Sequence, residues 1–122
     1  TRLPRTLPTT RGLTPVLIVR YPSAIDPRTG RSVQFPVQDL RTVPPEQRTP
    51  WGREEKREFI REWYERGYET PRGGWENYEI HHIWPREFGG TNNFWNLVPL
   101  TRSNHLEFTN FWRGIAELLG SR

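Results

Sequence analysis

The sequence predicts a small α+β fold, and three patterns of apolar residues carry this prediction. Residues 51–66 repeat apolar side chains at helical spacing, residues 78–83 alternate as in a strand, and residues 106–119 return to helical spacing. Only 33% of the 122 residues are apolar, whereas 13% are aromatic, so a few large rings must form most of the core. A chain of this length supports one small core rather than two.

The first 50 residues predict an arm and a β-hairpin. Residues 1–12 are rich in Pro, Thr and Arg without periodicity, as is typical of a linker, so the domain is expected to cover residues 13–122. Residues 13–19 (LTPVLIV) are predicted to form a strand, and residues 32–37 (SVQFPV) a second strand that pairs with it. The Asp-Pro-Arg-Thr-Gly segment at 26–30 has the residue types of a turn between them.

A helix is predicted near residues 51–66. Thr49 is the expected cap because it precedes a proline, which is tolerated at the first helical position, and Gly67 fits the C-terminal end. Glu62 and Arg66 have the i,i+4 spacing of an ion pair on a solvated face, so a structural role is predicted for this helix. Its apolar stripe consists of Phe59, Ile60, Trp63 and Tyr64.

The last 45 residues predict the order strand, loop, strand, helix. The first strand is expected at 78–83, a loop rich in Gly, Pro and Asn at 84–95, and a short strand at 96–100. Thr101 or Ser103 is the expected cap of the final helix, which has a wide apolar face. Three tryptophans of this region are expected in the core: Trp84, Trp95 and Trp112.

Composition excludes several classes of site. The chain has no Cys, which excludes disulfides, thiolate catalysis and Cys-ligated zinc or iron–sulfur centres. No apolar run approaches the roughly 18 residues of a membrane span, so no membrane anchor is expected. Met is absent, including at position 1, and we therefore expect the sequence to be a fragment of a longer polypeptide or a processed product.

Positive charge is concentrated in the N-terminal part of the chain. Residues 1–50 contain eight arginines against three acidic residues, a net charge of +5, whereas residues 51–122 have a net charge of −1. Arginine forks suit phosphate oxygens, so this distribution favours nucleic acid as a partner. A surface that only keeps the protein soluble is the alternative interpretation.

All three histidines lie within residues 81–105, and neutral imidazoles are both metal ligands and bases near neutral pH. Because His81 and His82 are adjacent on a strand, they are expected to point to opposite sides and not to bind one metal together. His105, in the first turn of the last helix, can reach back to that strand. Glu79 is expected on the same side of the strand as His81.

The segment HHIWPREFGGTNNFWNLVPLTRSNH resembles the motif of HNH nucleases, also called ββα-metal or His-Me finger nucleases. The resemblance spans residues 78–112, with the corresponding core expected at about 76–119. The Glu-x-His-His opening is similar to the DNase domains of colicins and pyocins. The H-x-x-F-x-x-F-W tail is similar to nuclease toxins at the C-termini of bacterial polymorphic and Rhs-type effectors.

The resemblance implies a role for each matching residue. His82 occupies the position of the general base, and His81 and His105 occupy the positions of two metal ligands. Asn96 matches the central Asn, which braces the loop by backbone hydrogen bonds and in some members helps to bind the metal. Glu79 matches an acidic residue that orients an Arg near the phosphate, without indicating which Arg this is.

The resemblance also indicates how the site would be completed. Gly89 and Gly90 would let the loop turn tightly. Thr109 stands where colicin-type sites have a third His, so Asn96 or water molecules would complete the metal shell. Such a shell favours one Mg²⁺ or Mn²⁺ ion, with Zn²⁺ as the alternative. A structural zinc pair is disfavoured, because it would need four protein ligands. The candidate substrate-binding residues are Arg72, Arg86 and Arg102.

The function implied by the resemblance is a metal-dependent DNA endonuclease of low sequence specificity. It would act as an antibacterial toxin module, carried by a larger delivery polypeptide into the cytoplasm of a target cell and blocked by an acidic immunity protein. Two alternatives stay open: an HNH nicking endonuclease of housekeeping or mobile-element type, and a catalytically silent nucleic-acid-binding finger. RNA also stays open as the substrate, since the chemistry acts on a phosphodiester common to both nucleic acids.

Overall fold

The computed structural model describes the backbone of residues 5–7 and 16–18 and the whole of residues 20–120. Within these ranges the chain forms three antiparallel strand pairs and two α-helices, which is a small α+β fold as predicted. Neither helix is long and apolar enough to cross a membrane.

The N-terminal strands pair differently from the prediction. Strand β1 (Arg5–Leu7) pairs with β2 (Val16–Ile18), and β3 (Ile25–Asp26) pairs with β4 (Arg31–Ser32). The predicted pairing of residues 13–19 with 32–37 is therefore wrong. The turn at 26–30 closes locally instead, because the amides of Thr29 and Gly30 both donate to the carbonyl oxygen of Asp26. The rest of the predicted arm at 1–12 lies outside the described residues.

Helix α1 (Arg53–Glu65) confirms the helix predicted near 51–66. Its N-cap is Gly52 rather than Thr49, and Gly67 adopts a φ of 91° just beyond the last turn. The expected ion pair is present, with 2.7 Å between Arg66 Nη2 and Glu62 Oε2. Of the predicted apolar stripe, Phe59 and Trp63 are buried, Ile60 is half-buried and Tyr64 is exposed.

The C-terminal half has the predicted order of strand, loop, strand and helix. Strand β5 (Tyr78–His82) pairs antiparallel with β6 (Leu97–Thr101), and α2 (Arg102–Leu118) follows β6 without an intervening residue. Thr101 is the cap, since its Oγ1 accepts a hydrogen bond from the Asn104 amide at 3.3 Å. The strand pair and α2 therefore form a single continuous support for the side chains between them.

The core comprises three groups of buried side chains, two of which are mainly aromatic. One group joins α1 to the β5–β6 pair through Phe59, Trp63, Ile80, Phe94 and Leu97. Another joins the loop between the strands to α2 through Trp84, Phe88, Trp112 and Ala116. Trp84 and Trp112 are buried as predicted, but Trp95 is 47% exposed, so its assignment to the core was wrong.

The Arg28 side chain links the β3–β4 turn to the segment before β6. Its guanidinium is buried, with Nε 3.0 Å from Asp26 Oδ1 and Nη2 3.0 Å from Asp26 Oδ2. It also donates to the carbonyl oxygens of Phe94 at 2.7 Å and Leu97 at 2.5 Å. One N-terminal arginine is thus committed to the fold rather than to a surface for nucleic acid.

Candidate active site

The β5–β6 pair and α2 bring Glu79, His81 and His105 together. In the pairing register His81 lies opposite Val98, and the helix that starts after β6 packs back over the same face. The ring centroids of His81 and His105 are 5.4 Å apart. Glu79, two residues before His81, lies on this side too, as the alternation of a strand predicts.

Glu79 fixes the proton position on His105. The Nδ1 atom of His105 lies 2.8 Å from Glu79 Oε1. Because a carboxylate only accepts hydrogen bonds, Nδ1 is the donor, and the lone pair of the neutral ring is then on Nε2. Glu79 also meets the arginine that the sequence did not identify: Arg102 Nε lies 3.6 Å from Glu79 Oε2, although both side chains are largely exposed.

His81 is the most buried of the three histidines. Only 5% of it is exposed, and its ring lies 4.8 Å from that of Phe108. Burial, with smaller contributions from the neighbouring His105 and His82, lowers the pKa of His81 to about 3. The ring is therefore neutral at physiological pH, and its Nε2 has no hydrogen-bonding partner among the described residues.

His82 has contacts of its own, which differ from those of His81. Its Nε2 lies 2.8 Å from Asn92 Oδ1, and its ring meets the Trp51 ring edge-on with centroids 4.9 Å apart. Burial lowers the pKa of His82, the hydrogen bond to Asn92 opposes this effect, and the positive charge of Arg86 adds to it. The imidazole of His82 is therefore neutral at physiological pH, and Asn92 and Trp51 contact it on two sides.

Asn96 makes the backbone hydrogen bonds expected of it. Its Oδ1 accepts from the Trp84 amide at 2.8 Å, while its Nδ2 donates to the carbonyl oxygens of Thr91 at 2.7 Å and Trp84 at 3.2 Å. Both ends of the amide are thereby used within the loop. The suggestion that Asn96 completes a metal shell is not supported, because its oxygen is engaged and it does not line the cavity described below.

The Gly-Gly step in the loop has a steric cause. A Cβ atom at Gly90 would lie 1.7 Å from the carbonyl oxygen of Trp84, which excludes any side chain there. Gly89 has a φ of 94°, a conformation that favours glycine. The loop therefore returns to β6 by the tight turn that was predicted.

All three histidines line one cavity of about 500 Å³. This differs from the expectation that His81 and His82 would face separate surroundings. His82 is the last residue of β5, so the chain bends away after it and the two rings open to the same space. Thr109 also lines the cavity, at the position where a third His was considered. Its further lining includes Arg48, Trp51, Arg86, Glu87, Trp112 and Arg113.

The cavity contains three arginines, of which the sequence indicated one. Arg86 lines it as predicted, with its Nε donating to the Thr49 carbonyl oxygen at 2.6 Å. Arg48 and Arg113 were missed. Arg102 instead lines a neighbouring cavity of about 460 Å³, and the exposed Arg72 lines neither of these two cavities.

The missed residues lack a local signal in the sequence. Arg48 stands in a Pro-rich connector and Arg113 at an exposed position of α2, and arginines are ordinary solvated residues in both settings. Asn92 belongs to a Thr-Asn-Asn run that is typical of a turn. Trp51 could have been noted as the only aromatic residue of residues 40–58, but nothing near it indicated contact with a histidine.

Comparison of the sequence with known proteins adds no relative. No group of three or more His, Cys, Asp or Glu side chains within the described ranges is arranged to hold a metal ion. A search against profiles of protein families gave no match, and a search of curated proteins gave none either.

Proposed function

We propose that this chain is a metal-dependent DNA endonuclease of the HNH, or ββα-metal, class. It would hydrolyse phosphodiester bonds and leave a 5′ phosphate and a 3′ hydroxyl. The observation that supports this most is the meeting of His81, His82 and His105 with three arginines at one cavity. A base, a pair of ligands and cationic groups are what this hydrolysis needs. The strand–loop–strand–helix order of residues 78–118 is compatible with a ββα-metal core.

His82 is the proposed general base. Water would attack phosphorus, the bond to the 3′ oxygen would break, and His82 would take the proton from the water. Two observations support this role. The ring lines the cavity and is only partly buried, so a water molecule can reach it. Its lowered pKa keeps it neutral, and therefore able to accept a proton, at physiological pH.

His81 and His105 are the proposed ligands of one divalent cation, Mg²⁺ or Mn²⁺, with Zn²⁺ as the alternative. When bound, the cation would neutralise charge on the scissile phosphate and stabilise the departing 3′ oxygen. The donor set fits, because His81 is neutral and its buried Nε2 has no partner in the described part of the chain. Glu79 is placed as the outer partner of His105, an arrangement common around metal-binding histidines.

Arg48, Arg86 and Arg113 are the proposed phosphate-binding residues. They face the cavity together with a single acidic side chain, Glu87, so the cavity has an excess of positive charge. Arg48 and Arg86 are each held by a backbone carbonyl, since their Nε atoms donate at 2.8 and 2.6 Å. Their remaining guanidinium hydrogens are left to bind phosphate oxygens. Arg72 is no longer proposed for this role.

Plasmid cleavage by the purified domain tests the proposal. We expect supercoiled plasmid to become nicked and then fragmented with Mg²⁺ or Mn²⁺, and to stay intact in EDTA or with His82→Ala. Arg72→Ala is the matched control, because Arg72 is exposed and lies away from the cavity. Binding without cutting under every metal would contradict the enzyme proposal and favour the silent finger; cleavage of RNA alone would correct the substrate.

We further propose that the domain is the toxin module of a larger polypeptide that is delivered into the cytoplasm of a target bacterium. An acidic immunity protein would be its partner in the producing cell, consistent with a net charge of +4. Expression of the wild type in a bacterial cytoplasm should be lethal and expression of His82→Ala should not. Cuts confined to branched or nicked DNA would favour the housekeeping or mobile-element alternative.

A further inference from the structure

We propose that Asn92 is a positioning residue that fixes the tautomer of His82, so that Nε2 carries the proton and Nδ1 is the atom that accepts a proton from water. Only the catalytic part of this inference rests on the proposed function. The tautomer itself is a property of the free protein.

The orientation of the Asn92 amide is set by its other contact. Its Nδ2 donates to the carbonyl oxygen of Pro50 at 2.9 Å. A backbone carbonyl only accepts, so the amide nitrogen must face Pro50 and the amide oxygen must face away from it. The orientation is thus decided by chemistry, even though the two ends of an amide have nearly the same shape.

This orientation determines the proton on His82. The amide oxygen of Asn92 lies 2.8 Å from Nε2 of His82. An amide oxygen has no hydrogen to give, so Nε2 of His82 must be the donor. A neutral imidazole has one N–H, and Nδ1 therefore keeps its lone pair. The opposite tautomer would place two lone pairs against each other at hydrogen-bonding distance.

The segment before α1 holds both partners in place. Pro50 accepts the hydrogen bond from Asn92, and the next residue, Trp51, meets the His82 ring edge-on at an interplanar angle of 87°. A flip of the imidazole would break the bond to Asn92. Residues 50 and 51 thus orient both groups: Trp51 contacts the His82 ring, and Pro50 accepts the hydrogen bond from Asn92.

Nitrogen NMR of the imidazole rings tests the tautomer without DNA or metal. In the wild type at about pH 8, where the ring is neutral, we expect His82 to show a pyrrole-type Nε2 and a pyridine-type Nδ1. In Asn92→Ala the Nε2 hydrogen should exchange faster and both tautomers should be populated. Asn93→Ala, in the same loop but bonded to the Trp95 amide, is the matched control.

Cleavage kinetics test the catalytic part. We expect Asn92→Ala to lower kcat about 10–100-fold with little change in KM, the range found when the outer partner of a metal-binding histidine is lost. Asn93→Ala should retain most of the activity. A pyridine-type Nε2 in the wild type would overturn the tautomer assignment, and an unchanged kcat in Asn92→Ala would overturn the positioning role. A wild type that shows the expected spectrum but cuts no DNA would refute the proposed function alone.

Discussion

Replacement of Arg28 by Met should destabilise the domain strongly, although no arginine in the first 50 residues stands out in the sequence. The change removes a fully buried guanidinium that forms a two-pronged ion pair with Asp26. It also removes the side-chain donor to the carbonyl oxygens of Phe94 and Leu97, although the Leu97 amide still donates to Phe94. Phe94 and Leu97 lie on either side of Asn96, so the segment that leads into β6 loses a buried link to the β3–β4 turn.

The expected cost is about 4 kcal/mol in the free energy of unfolding. Removal of one member of a buried ion pair costs about 3–5 kcal/mol, because the remaining charge, here Asp26, stays buried without a counter-charge and keeps only the amide of residue 28 as a donor. The Asp26 side chain is 12% exposed, so water offsets little of this loss. For a domain of this size, 4 kcal/mol corresponds to a decrease of about 15 °C in Tm. Arg28→Lys keeps the charge but not the fork, and should cost about half as much.

Urea denaturation followed by Trp fluorescence would measure this difference, since the chain has six tryptophans. The chain offers a matched control in Arg41, which also pairs with an aspartate two residues earlier, Asp39, at 2.8 Å. That pair is 83% and 76% exposed, so Arg41→Met should change stability by no more than about 0.5 kcal/mol. Equal effects of the two replacements would refute the argument that burial, and not pairing itself, determines the cost.

Three further predictions concern the loop, the buried histidine and the cavity. Gly90→Ala should lower the free energy of unfolding by about 3 kcal/mol or more, because its Cβ would lie 1.7 Å from a backbone carbonyl oxygen. Gly114→Ala, which has open space in α2, should raise it by about 0.5–1 kcal/mol, and thermal unfolding would measure both changes. The free energy of unfolding of the metal-free domain should fall as the pH falls from 6.5 towards 3, with a loss of about 2 kcal/mol at pH 5. In this range His81 takes up a proton in the unfolded chain but not in the folded one. His81→Phe should remove this contribution when the free energy of unfolding is measured against pH. Arg113→Ala should reduce the salt dependence of DNA affinity by about one counterion in binding titrations, whereas an equal reduction by Arg72→Ala would argue against the cavity as the phosphate site.

The elements that the sequence predicted are those with a strong local period. Helix α1, strand β5 and helix α2 each have apolar residues at regular spacing, and their positions differ from the prediction by a few residues at most. The pairing of β2 with β1 had no such signal, because residues 5–7 lie in a Pro- and Arg-rich stretch without alternation. Strand pairing depends on contacts distant in sequence, which composition and spacing do not reveal.

The candidate site also contains residues that the sequence predicted and residues that it did not. Glu79, His81, His82, Asn96 and His105 lie within one short motif, so their spacing along the chain was enough to find them. The groups that surround them come from elsewhere: Arg48 from the connector before α1, Arg113 from the fourth turn of α2. In the sequence, Arg48 and Arg113 do not differ from ordinary surface arginines. Only the fold shows that both line the cavity.

The direct junction of β6 with α2 restricts how this domain can vary in length. Thr101 ends the strand and caps the helix at once, so no residue absorbs a change in length between them. One inserted residue would turn the helix by about 100° and carry His105 away from His81. Added residues within the exposed stretch 37–42, which precedes the Arg48–Trp51 segment at the cavity, would not turn α2 and so would leave His105 beside His81.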